Sequence, residues 1–452
     1  MKIRKFVLLI VMMFAMNKVF AYDFEVDGIY YDVVSLSEQT CKVVKRSSVY
    51  KYTGDIVIPA HVNHANKTLT VVEISEKLFY GCSGLTGITI PNTVASISND
   101  MFNGCTKLKR VVIEDGRNVL RLGYNSYLFD DGDGYYSENL FCDCPITSLY
   151  IGRNISFDNE STFNDNNTIV ELTIGNLVTE ISGWMFCGCG SLKSVTIPNS
   201  VTEIGWFAFC CCTGLTEIVI PNSVTDIGDS AFSGCSGLKK LTIPNSVKFI
   251  GENAFGGCRG LTSLIIPNSI TEIEYYTFGE CSGLTNIVIP NTVTKIGGYA
   301  FCDCSSLTNL TIPESVTEIG DNVFESCGFT SITLPSSIKR IGAFDEADNI
   351  TAIYILNPTP PSVEADYDNE PFTKNQYMTL NVYVPQGSLE AYQNADVWKN
   401  FLNLQEGAPT GIDSAKNNIM DGNSKCYDLH GNRLSAPKRG LNIINGKKVI
   451  VK

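Results

Sequence analysis

The chain has 452 residues and a formal net charge of −13 at neutral pH. This acidic balance argues against binding to nucleic acid or to an anionic membrane surface. The length would accommodate two ordinary domains. Internal repeats account for most of it, however, so we expect one repeat domain with caps.

Residues 1–21 have the features of a signal peptide. Three basic residues among the first five precede an apolar stretch at 6–16, and the small residue Ala21 follows. The apolar stretch is too short to span a bilayer. We therefore expect cleavage before Tyr22, export of the chain to the extracellular space or outer cell surface, and no membrane-spanning segment in the mature protein.

An N-terminal β cap is predicted at 22–58, and a repeat of about 23 residues follows at 59–357. A proline marks the same place in successive repeats: Pro198, Pro221, Pro244, Pro267, Pro290, Pro313 and, one residue early, Pro335. Self-similarity at this period is typical of a solenoid, in which each unit buries its apolar face against its neighbours. About a dozen turns are expected.

Within each repeat the apolar residues follow the pattern L-x-x-[IV]-x-I, as in Leu215, Ile218 and Ile220. The alternation in its second half indicates one short parallel strand per turn, with one face inward. Pro221 follows directly and ends the strand, because proline cannot donate a ladder hydrogen bond. The predicted fold class is therefore an α/β to mainly β solenoid.

A phenylalanine recurs once per repeat and is predicted to form a ladder in the core. Its members are Phe79, Phe102, Phe163, Phe186, Phe209, Phe232, Phe255, Phe278, Phe301 and Phe324. The stretch between this phenylalanine and the next strand is rich in Gly, Ser and Cys and too short for a regular helix. We expect a tight turn or a fragment of 3₁₀ helix there.

An irregular insertion interrupts the period at 115–151. Its residues 130–138 include Asp130, Asp131, Asp133 and Glu138, which resemble half of a calcium loop. The spacing stops short of an EF-hand. We favour a flexible acidic loop and leave calcium binding open.

Seventeen cysteines in an exported chain would suggest a disulfide framework. However, most of them recur every 23 residues, as Cys189, Cys212 and Cys235 do, so their side chains would run parallel and not converge. We favour a ladder of free, buried thiols that act as small apolar residues. Disulfides between neighbouring turns are the alternative. Zinc is disfavoured, because the C-x-C pairs lack the spacing and histidine partners of zinc sites.

The sequence gives little support for catalysis, and no cofactor or metal is predicted. Its three histidines, His61, His64 and His430, lie outside the regular repeats. Nucleophile elbows, phosphate loops and metalloprotease motifs are absent from the sequence. Acidic residues such as Glu203 and Asp226 recur at one repeat position, which indicates a solvated edge. We predict that the protein is not an enzyme.

A C-terminal cap is predicted at 358–405, a linker at 406–425 and a β hairpin at 426–452. The cap would contain a last strand at 382–385 and a helix capped by Ser388. Its buried residues would be Leu389, Tyr392, Trp398 and Phe401. In the tail, Asn445-Gly446 between two alternating apolar segments is a strong hairpin signal.

The repeats resemble the BspA-like leucine-rich repeats of bacterial and protist surface proteins over about residues 24–405. They carry the pattern I-P-x-S-V-T-x-I-G-x-x-A-F-x-x-C-x-x-L-x-x-I, as in residues 197–218. The resemblance implies a right-handed, curved leucine-rich-repeat superhelix and a role in adhesion or host contact, without naming a ligand.

The tail is similar to the C-terminal sorting domains of type IX secretion in Bacteroidetes. It contains Tyr427-Asp428-Leu429-His430-Gly431, then Gly440 and a final lysine-containing strand. This resemblance implies delivery through the outer membrane. A small β module that merely ends the chain is the alternative.

Two groups of aromatic residues stand at the variable positions before each ladder phenylalanine and are our candidate binding residues. They are Trp184, Trp206 and Phe207, and Tyr275, Tyr276 and Tyr299. Exposed aromatic clusters on a rigid scaffold commonly anchor protein or carbohydrate binding. The alternative is that the rings only pack on each other and cover the core.

The outward-facing strand residues form a second, uncharged row that is suited to sheet formation. Its members are Thr89, Val112, Tyr150, Thr173, Thr196, Val219, Thr242, Ile265, Val288, Thr311 and Thr333.

Two functions are therefore compatible with the sequence. The first is a monomeric surface adhesin that binds a host or microbial protein or glycan. The second is a structural spacer of the cell envelope without a specific ligand.

Overall fold

The computed structural model describes residues 22–47, 49–124, 140–141, 143–157, 163–364 and 371–407, together with the backbone of four strands between residues 426 and 451. The predicted signal peptide, the acidic loop at 130–138, residues 408–425 of the predicted linker, and His430 lie outside the described residues.

The described part of the chain begins with a five-stranded sheet of order β1-β2-β3-β6-β5. The β1–β2 connection is Asp27-Gly28, and both residues have positive φ, as a two-residue hairpin of this type requires. Strand β4 is not part of this sheet and pairs in parallel with β7 of the repeats. The strands are β1 (Phe24–Val26), β2 (Ile29–Ser35), β3 (Thr40–Val44), β4 (Thr53–Val57), β5 (His61–His64) and β6 (Lys67–Ile74).

The repeat region that follows is built from short parallel strands joined by turns. In chain order these are β7 (Gly84–Ile90), β8 (Ser96–Ser98), β9 (Arg110–Ile113), β10 (Leu120–Tyr124), β11 (Ser148–Ile151), β12 (Ile155–Phe157), β13 (Glu171–Ile174), β14 (Glu180–Ile181), β15 (Val195–Thr196), β16 (Glu203–Ile204), β17 (Glu217–Val219), β18 (Asp226–Ile227), β19 (Lys240–Thr242), β20 (Phe249–Ile250), β21 (Ser263–Ile265), β22 (Glu272–Ile273), β23 (Asn286–Val288), β24 (Lys295–Ile296), β25 (Glu318–Ile319), β26 (Ser331–Leu334), β27 (Arg340–Ile341), β28 (Ala352–Ile355) and β29 (Ser362–Val363).

The predicted strand is present in most repeats, although the repeat that contains Leu310 has none, and neighbouring strands pair in parallel in groups of two to six. Ile218 of β17, for example, lies opposite Leu241 of β19. Both residues point inward, because the pleat places alternate residues on the same face. The fold is thus the strand-rich repeat solenoid that the periodicity predicted.

Most turns also contain a second strand, usually of two residues, which the sequence analysis did not predict. In β16 and β18, Ile204 lies opposite Ile227. The threonine before each of these strands adds an inter-turn bond, since Thr225 Oγ1 donates to the carbonyl of Thr202 at 3.3 Å. A two-residue segment gives too little alternation to be recognised as a strand in the sequence.

The remainder of each turn is a run of consecutive tight turns, as expected for its Gly, Ser and Cys content. Two kinds of backbone hydrogen bond alternate along it. Cys210 N–H donates within the turn to the carbonyl of Phe207 at 3.1 Å, whereas Phe209 N–H donates to the carbonyl of Ala231 in the next turn at 2.8 Å. Successive turns are therefore bonded to each other on this side as well, and we call this layer the turn stack.

The predicted phenylalanine ladder forms the core of the solenoid. From Phe79 to Phe301, neighbouring rings stack with centroids 4.9–6.2 Å apart and planes within 24°. Phe141 is a further member that the sequence analysis missed, because the insertion shifts it out of the 23-residue period. It stacks between Phe102 and Phe163.

The C-terminal cap closes the repeat core. Its elements are α1 (Lys374–Thr379), β30 (Asn381–Val384), α2 (Leu389–Asn394), a 3₁₀ turn at Trp398–Asn400 and β31 (Asn403–Glu406). Tyr392, Trp398 and Phe401 are buried as predicted. The predicted strand at 382–385 is not the last one, because β31 pairs in parallel outside β30.

Ser388 stands at the N-terminus of α2, but its side chain does not cap the helix. Its hydroxyl donates instead to the carbonyl of Pro385 at 2.6 Å. The side-chain cap occurs in α1, where Thr373 and Gln376 form a reciprocal capping box.

A small antiparallel sheet of order β33-β32-β34-β35 ends the chain. Its strands are β32 (Cys426–Tyr427), β33 (Arg433–Leu434), β34 (Gly440–Ile444) and β35 (Lys447–Val451). Ile444 pairs with Lys447, so the hairpin predicted around Asn445-Gly446 is present. None of the helices in the described part of the chain has the length and apolar character needed to cross a membrane.

Candidate recognition surface

The turn stack holds the candidate aromatic residues on a rigid backbone. One residue per turn, two positions before the ladder phenylalanine, has a positive φ of 48–60°: Trp184, Phe207, Ser230, Asn253, Tyr276, Tyr299 and Asn322. Such values are costly for bulky residues. Here the conformation directs each N–H toward the next turn, and Phe207 N–H donates to the carbonyl of Asp229 at 2.8 Å.

The first aromatic cluster consists of Trp184, Trp206 and Phe207. The rings of Trp184 and Phe207 stack with centroids 4.2 Å apart, and Trp206 lies edge-on to both. Trp206 is 57% exposed, whereas the other two are half-buried. Two rings thus support the third, which presents its surface to solvent.

Gly183 makes room for the exposed ring of this cluster. A Cβ atom at Gly183 would collide with Nε1 and Cδ1 of Trp206, so the indole lies directly over this glycine. Gly183 and Trp206 occupy the same position in successive turns. The absence of a side chain on one turn therefore determines where the tryptophan of the next turn lies.

The second cluster consists of Tyr275, Tyr276 and Tyr299. Tyr275 is 48% exposed and lies with its ring centroid 5.6 Å from that of Tyr299. Tyr276 is half-buried, and its hydroxyl donates to Oε1 of Glu280 at 2.9 Å. Trp206 and Tyr275 are therefore the members that a macromolecular partner could cover.

The two clusters are separated by two turns without aromatic residues at these positions. Asp229 and Glu252 lie on these turns at the position of Trp206, and Ser230 and Asn253 at that of Phe207. Asp229 is held in place, since its Oδ1 accepts the backbone N–H of Glu252 at 3.0 Å. The structure thus does not merge the candidate residues into one continuous aromatic patch.

A cleft of about 300 Å³ lies beside the second cluster and was not found in the sequence analysis. Three turns contribute its lining: Ser233, Gly234, Ser236, Asn253, Gly256, Gly257, Arg259, Tyr276 and Glu280. The sequence indicates this cleft only through the small residues Ser and Gly, which replace larger ones directly after two successive ladder phenylalanines.

One wall of the cleft is fixed by an ion pair. Arg259 pairs with Oε2 of Glu280, whose other oxygen accepts the hydroxyl of Tyr276. The hydrogen bonds from Arg259 and Tyr276 lower the pKa of Glu280. Burial and the hydrogen bond to Glu280 raise the pKa of Tyr276, so the tyrosine stays protonated and keeps donating. The wall is preorganised before any ligand arrives.

The predicted outward row of the strands is exposed through the middle of the solenoid. Val219 and Ile265 are 67% and 70% exposed. Thr89, which we expected to face solvent, is buried; it pairs with Val57 on one side and Val112 on the other. Further along, two tyrosines that we did not single out, Tyr354 and Tyr383, stack at 4.7 Å.

All fifteen cysteines whose side chains the structure describes are free, and all but the exposed Cys211 are buried, which confirms the preferred interpretation for the ladder thiols. Most ladder thiols also make a hydrogen bond that the sequence did not reveal. Cys235 Sγ, for example, donates to the carbonyl of Phe209 at 3.1 Å, and Cys258 Sγ to that of Phe232 at 3.4 Å. Burial raises the pKa of these thiols, to about 12 for Cys281.

The described residues contain no group of three or more His, Cys, Asp or Glu side chains arranged to hold a metal ion. The two described histidines belong to the N-terminal sheet. His64 stacks on Phe24 at 4.2 Å, and His61 Nδ1 is 3.2 Å from Thr70 Oγ1. Both histidines are thus engaged in packing or hydrogen bonding of the cap.

One acidic group, near the end of the repeats, has a strongly shifted pKa. Burial, together with the neighbouring Glu346, raises the pKa of Glu325 to about 7. Asp303 and Asp345 act in the same direction. The causes of the shift are thus burial and three neighbouring carboxyl groups.

Strands on one side, a turn stack on another and a stacked core define a leucine-rich-repeat solenoid. Six copies of the BspA type leucine rich repeat region match residues 62–131, 134–253 and 228–351. These matches cover more than half of the chain, which therefore belongs to the BspA-type leucine-rich-repeat family.

Solved structures with similarity to this chain include three bacterial proteins. A leucine-rich repeat protein from Bacteroides ovatus is 23% identical, with a TM-score of 0.47, over 76% of this chain and 100% of that one. A leucine rich cell surface protein from Faecalibacterium prausnitzii is 27% identical, with a TM-score of 0.41, over 74% and 94%. The pneumococcal vaccine antigen PcpA is 16% identical, with a TM-score of 0.41, over 84% and 96%. No curated protein of similar sequence was found.

Proposed function

We propose that this protein is an exported, non-enzymatic surface protein that binds a protein or glycan in contacts with a host or with other microbes. The observation that carries the proposal is the pair of aromatic clusters on the turn stack, with Trp206 and Tyr275 exposed. Large aromatic side chains bury much apolar surface when a partner covers them, and this burial contributes strongly to the binding free energy. Leucine-rich repeats of this family are typically not catalytic.

The rigidity of the turn stack supports this role. Trp206 rests against Trp184 and Phe207, and inter-turn hydrogen bonds fix the backbone beneath all three. Little conformational entropy is lost when such side chains bind, because their positions are already set. A flexible loop with the same composition would bind less tightly.

Export and attachment are part of the proposal. They rest on the signal-peptide features of residues 1–21 and on the similarity of the tail to type IX sorting domains. In this domain organisation, the cap at 22–58, the repeats at 59–357 and the cap at 358–405 form the exposed module. The linker at 406–425 and the hairpin at 426–452 serve for delivery.

The test is a binding screen of the full chain against extracellular-matrix proteins, mucins and a glycan array. Trp206→Ala and Tyr275→Ala are each expected to weaken a saturable interaction at least tenfold, in line with the roughly 2 kcal/mol of an interface hot spot. Phe249→Ala is the matched control, because Phe249 is an exposed aromatic residue on β20, outside both clusters.

A second variant tests position instead of composition. Gly183→Ala keeps Trp206 but drives its indole away from the surface it now covers. We expect the same loss of binding as for Trp206→Ala, with unchanged circular dichroism. No binding to any member of the panel, or equal binding by all folded variants, would contradict the proposal and favour the structural spacer.

A further inference from the structure

We propose that the cleft between the turns of Ser233, Asn253 and Tyr276 binds a single neutral sugar residue. The inference rests on the proposed function, since Tyr276 belongs to both the cleft and the second aromatic cluster. It adds the chemical class of ligand and a defined place for it.

The cleft exists because small residues replace large ones on two successive turns. The position after the ladder phenylalanine is Cys187, Cys210, Ser233, Gly256, Gly279, Cys302 and Glu325 in successive turns. The next position is Gly234 and Gly257 on the two turns that form the floor, but Cys211 before them and Glu280 after them. The floor of the cleft therefore consists of backbone atoms and a hydroxyl group. The side chains of the flanking turns lie at its two ends.

Its size suits one pyranose ring. The volume of about 300 Å³ is at the lower end of the range for small-molecule sites. Tyr276 borders the cleft with its ring packed over Gly279, and the hydroxyl of this tyrosine is anchored by Glu280. An aromatic ring of fixed orientation gives the apolar face of a sugar a surface to pack on.

The charges of the cleft favour a neutral ligand over an anionic one. Arg259, its one cationic side chain, is neutralised by Glu280. The remaining polar groups are the hydroxyls of Ser233 and Ser236 and the amide of Asn253. A carboxylate ligand would meet Glu280 without a spare cation, which costs free energy in a partly desolvated site.

Asn253 has an unused hydrogen-bond acceptor at this place. Its Nδ2 donates to Ser230 Oγ at 3.1 Å, whereas its Oδ1 has no partner among the described residues. A buried polar atom without a partner is unfavourable, and a sugar hydroxyl is a suitable donor once the amide turns toward the cleft. Tyr, Ser, Gly and Asn together also form the composition of adaptable binding surfaces.

The experiment is saturation-transfer NMR on the full chain with methyl glycosides of glucose, galactose, mannose and N-acetylglucosamine, and with N-acetylneuraminic acid as the anionic probe. Ser236→Trp fills the cleft from an exposed position and should leave the core intact. Ser305→Trp is the matched control, because Ser305 is the exposed equivalent three turns later and does not line the cleft.

We expect at least one neutral glycoside to give a signal with the parent chain and with Ser305→Trp, and at least a tenfold weaker signal with Ser236→Trp. No signal, an equal signal from Ser236→Trp, or a signal from the anionic probe alone would overturn the inference. The proposed function is tested separately. It is contradicted if the binding screen finds no macromolecular partner, or if Trp206→Ala does not weaken binding to that partner.

Discussion

A buried thiol in the ladder combines two properties that few other side chains offer. Cys235 is fully buried, and its sulfur donates to the carbonyl of Phe209 in the preceding turn at 3.1 Å. The thiol is apolar enough to fill the core, and it gives a second hydrogen bond to a carbonyl oxygen that already accepts the N–H of Cys212. Serine would donate more strongly, but it would leave space unfilled at a tightly packed site.

Arg153 is the most unusual residue of the core, because it is charged and fully buried. Its Nη1 donates to the carbonyls of Asn92 and Val94 at 3.1 and 2.9 Å, and its Nη2 donates to the carbonyl of Pro91 at 3.0 Å. Burial lowers its pKa to about 10, so it remains charged near neutral pH. The guanidinium thereby clamps the irregular part of the solenoid to a regular turn.

We predict that Arg153→Met lowers the free energy of unfolding by roughly 2–4 kcal/mol, because hydrogen bonds from a charged donor to buried carbonyls are lost. Arg117→Met, at an exposed site in the same region, should change it by less than about 0.5 kcal/mol. Urea denaturation of the three proteins measures the difference. Equal midpoints would show that Arg153 has no clamping role.

At the level of elements, short strands persist because each turn is bonded to the next in several places. The two-residue strands gain from the threonines beside them, as when Thr317 Oγ1 donates to the carbonyl of Thr294 at 3.3 Å. In the turn stack, Phe232 N–H donates to the carbonyl of Ala254 at 2.8 Å. No single strand is long enough to be stable alone, so the bonds between turns hold the elements in place.

The C-terminal cap covers an edge that would otherwise expose the core. Strand β30 pairs with β28, and Trp398 Nε1 donates to the carbonyl of Pro361 at 2.8 Å. Tyr392, also fully buried, donates its hydroxyl to the carbonyl of Asn357 at 2.7 Å. Both polar tips reach backwards into the last turns, which ties the cap to the repeats.

We predict that truncation before Asn381 causes aggregation, because it leaves β28 as an open, apolar edge. Truncation after Gly407 removes only the tail and should give soluble protein. Size-exclusion chromatography with light scattering distinguishes the two. Soluble, monomeric material from the shorter chain would refute the capping role.

At the level of the whole molecule, stability is spread along the stack, because each repeat contacts mainly its neighbours. Deletion of residues 222–244 joins Pro221 to Asn245 and preserves the pattern of every turn. We predict a soluble chain with cooperative thermal unfolding. Deletion of residues 222–233 breaks the 23-residue register and should abolish cooperative thermal unfolding. Circular dichroism during heating measures the unfolding of both chains. Equal behaviour of the two deletions would show that register does not govern the fold.

The thiol ladder predicts a loss of stability in alkaline solution. A thiol ionises near pH 9 in the unfolded chain, whereas burial raises the pKa of Cys105 and Cys281 to about 12 in the folded one. Their stabilising effect is complete below pH 9 and is lost as the pH rises toward 12. Each such thiol contributes about 1.4 kcal/mol per pH unit in this window.

Urea midpoints at pH 7, 9 and 10, with a reductant present, measure this effect. The double variant Cys235→Ala and Cys258→Ala should lose stability at pH 7, because it leaves cavities in the core. Its midpoint should then fall less steeply than that of the parent above pH 9. Parallel pH profiles would contradict the prediction.

The sequence by itself determined the repeat, the inward strand residues and the phenylalanine ladder, because each depends on periodicity, which one chain displays completely. It favoured free thiols but left disulfides between neighbouring turns open. Phe141 escaped this reasoning, since the insertion displaced it from the period. The arrangement of surface residues could be predicted only in part. Trp206 and Tyr275 were among the candidates, but their exposure, and the burial of their neighbours, depend on ring packing across turns.

Only the tertiary structure decided where side chains from different turns meet. Gly183 shapes the surface around Trp206, and Ser233, Gly257 and Glu280 come together in one cleft although 47 residues separate the first from the last. The second strand ladder arises in the same way. A two-residue segment has no recognisable pattern, and its hydrogen bonds exist only because stacking brings equivalent residues of successive turns within about 5 Å of each other.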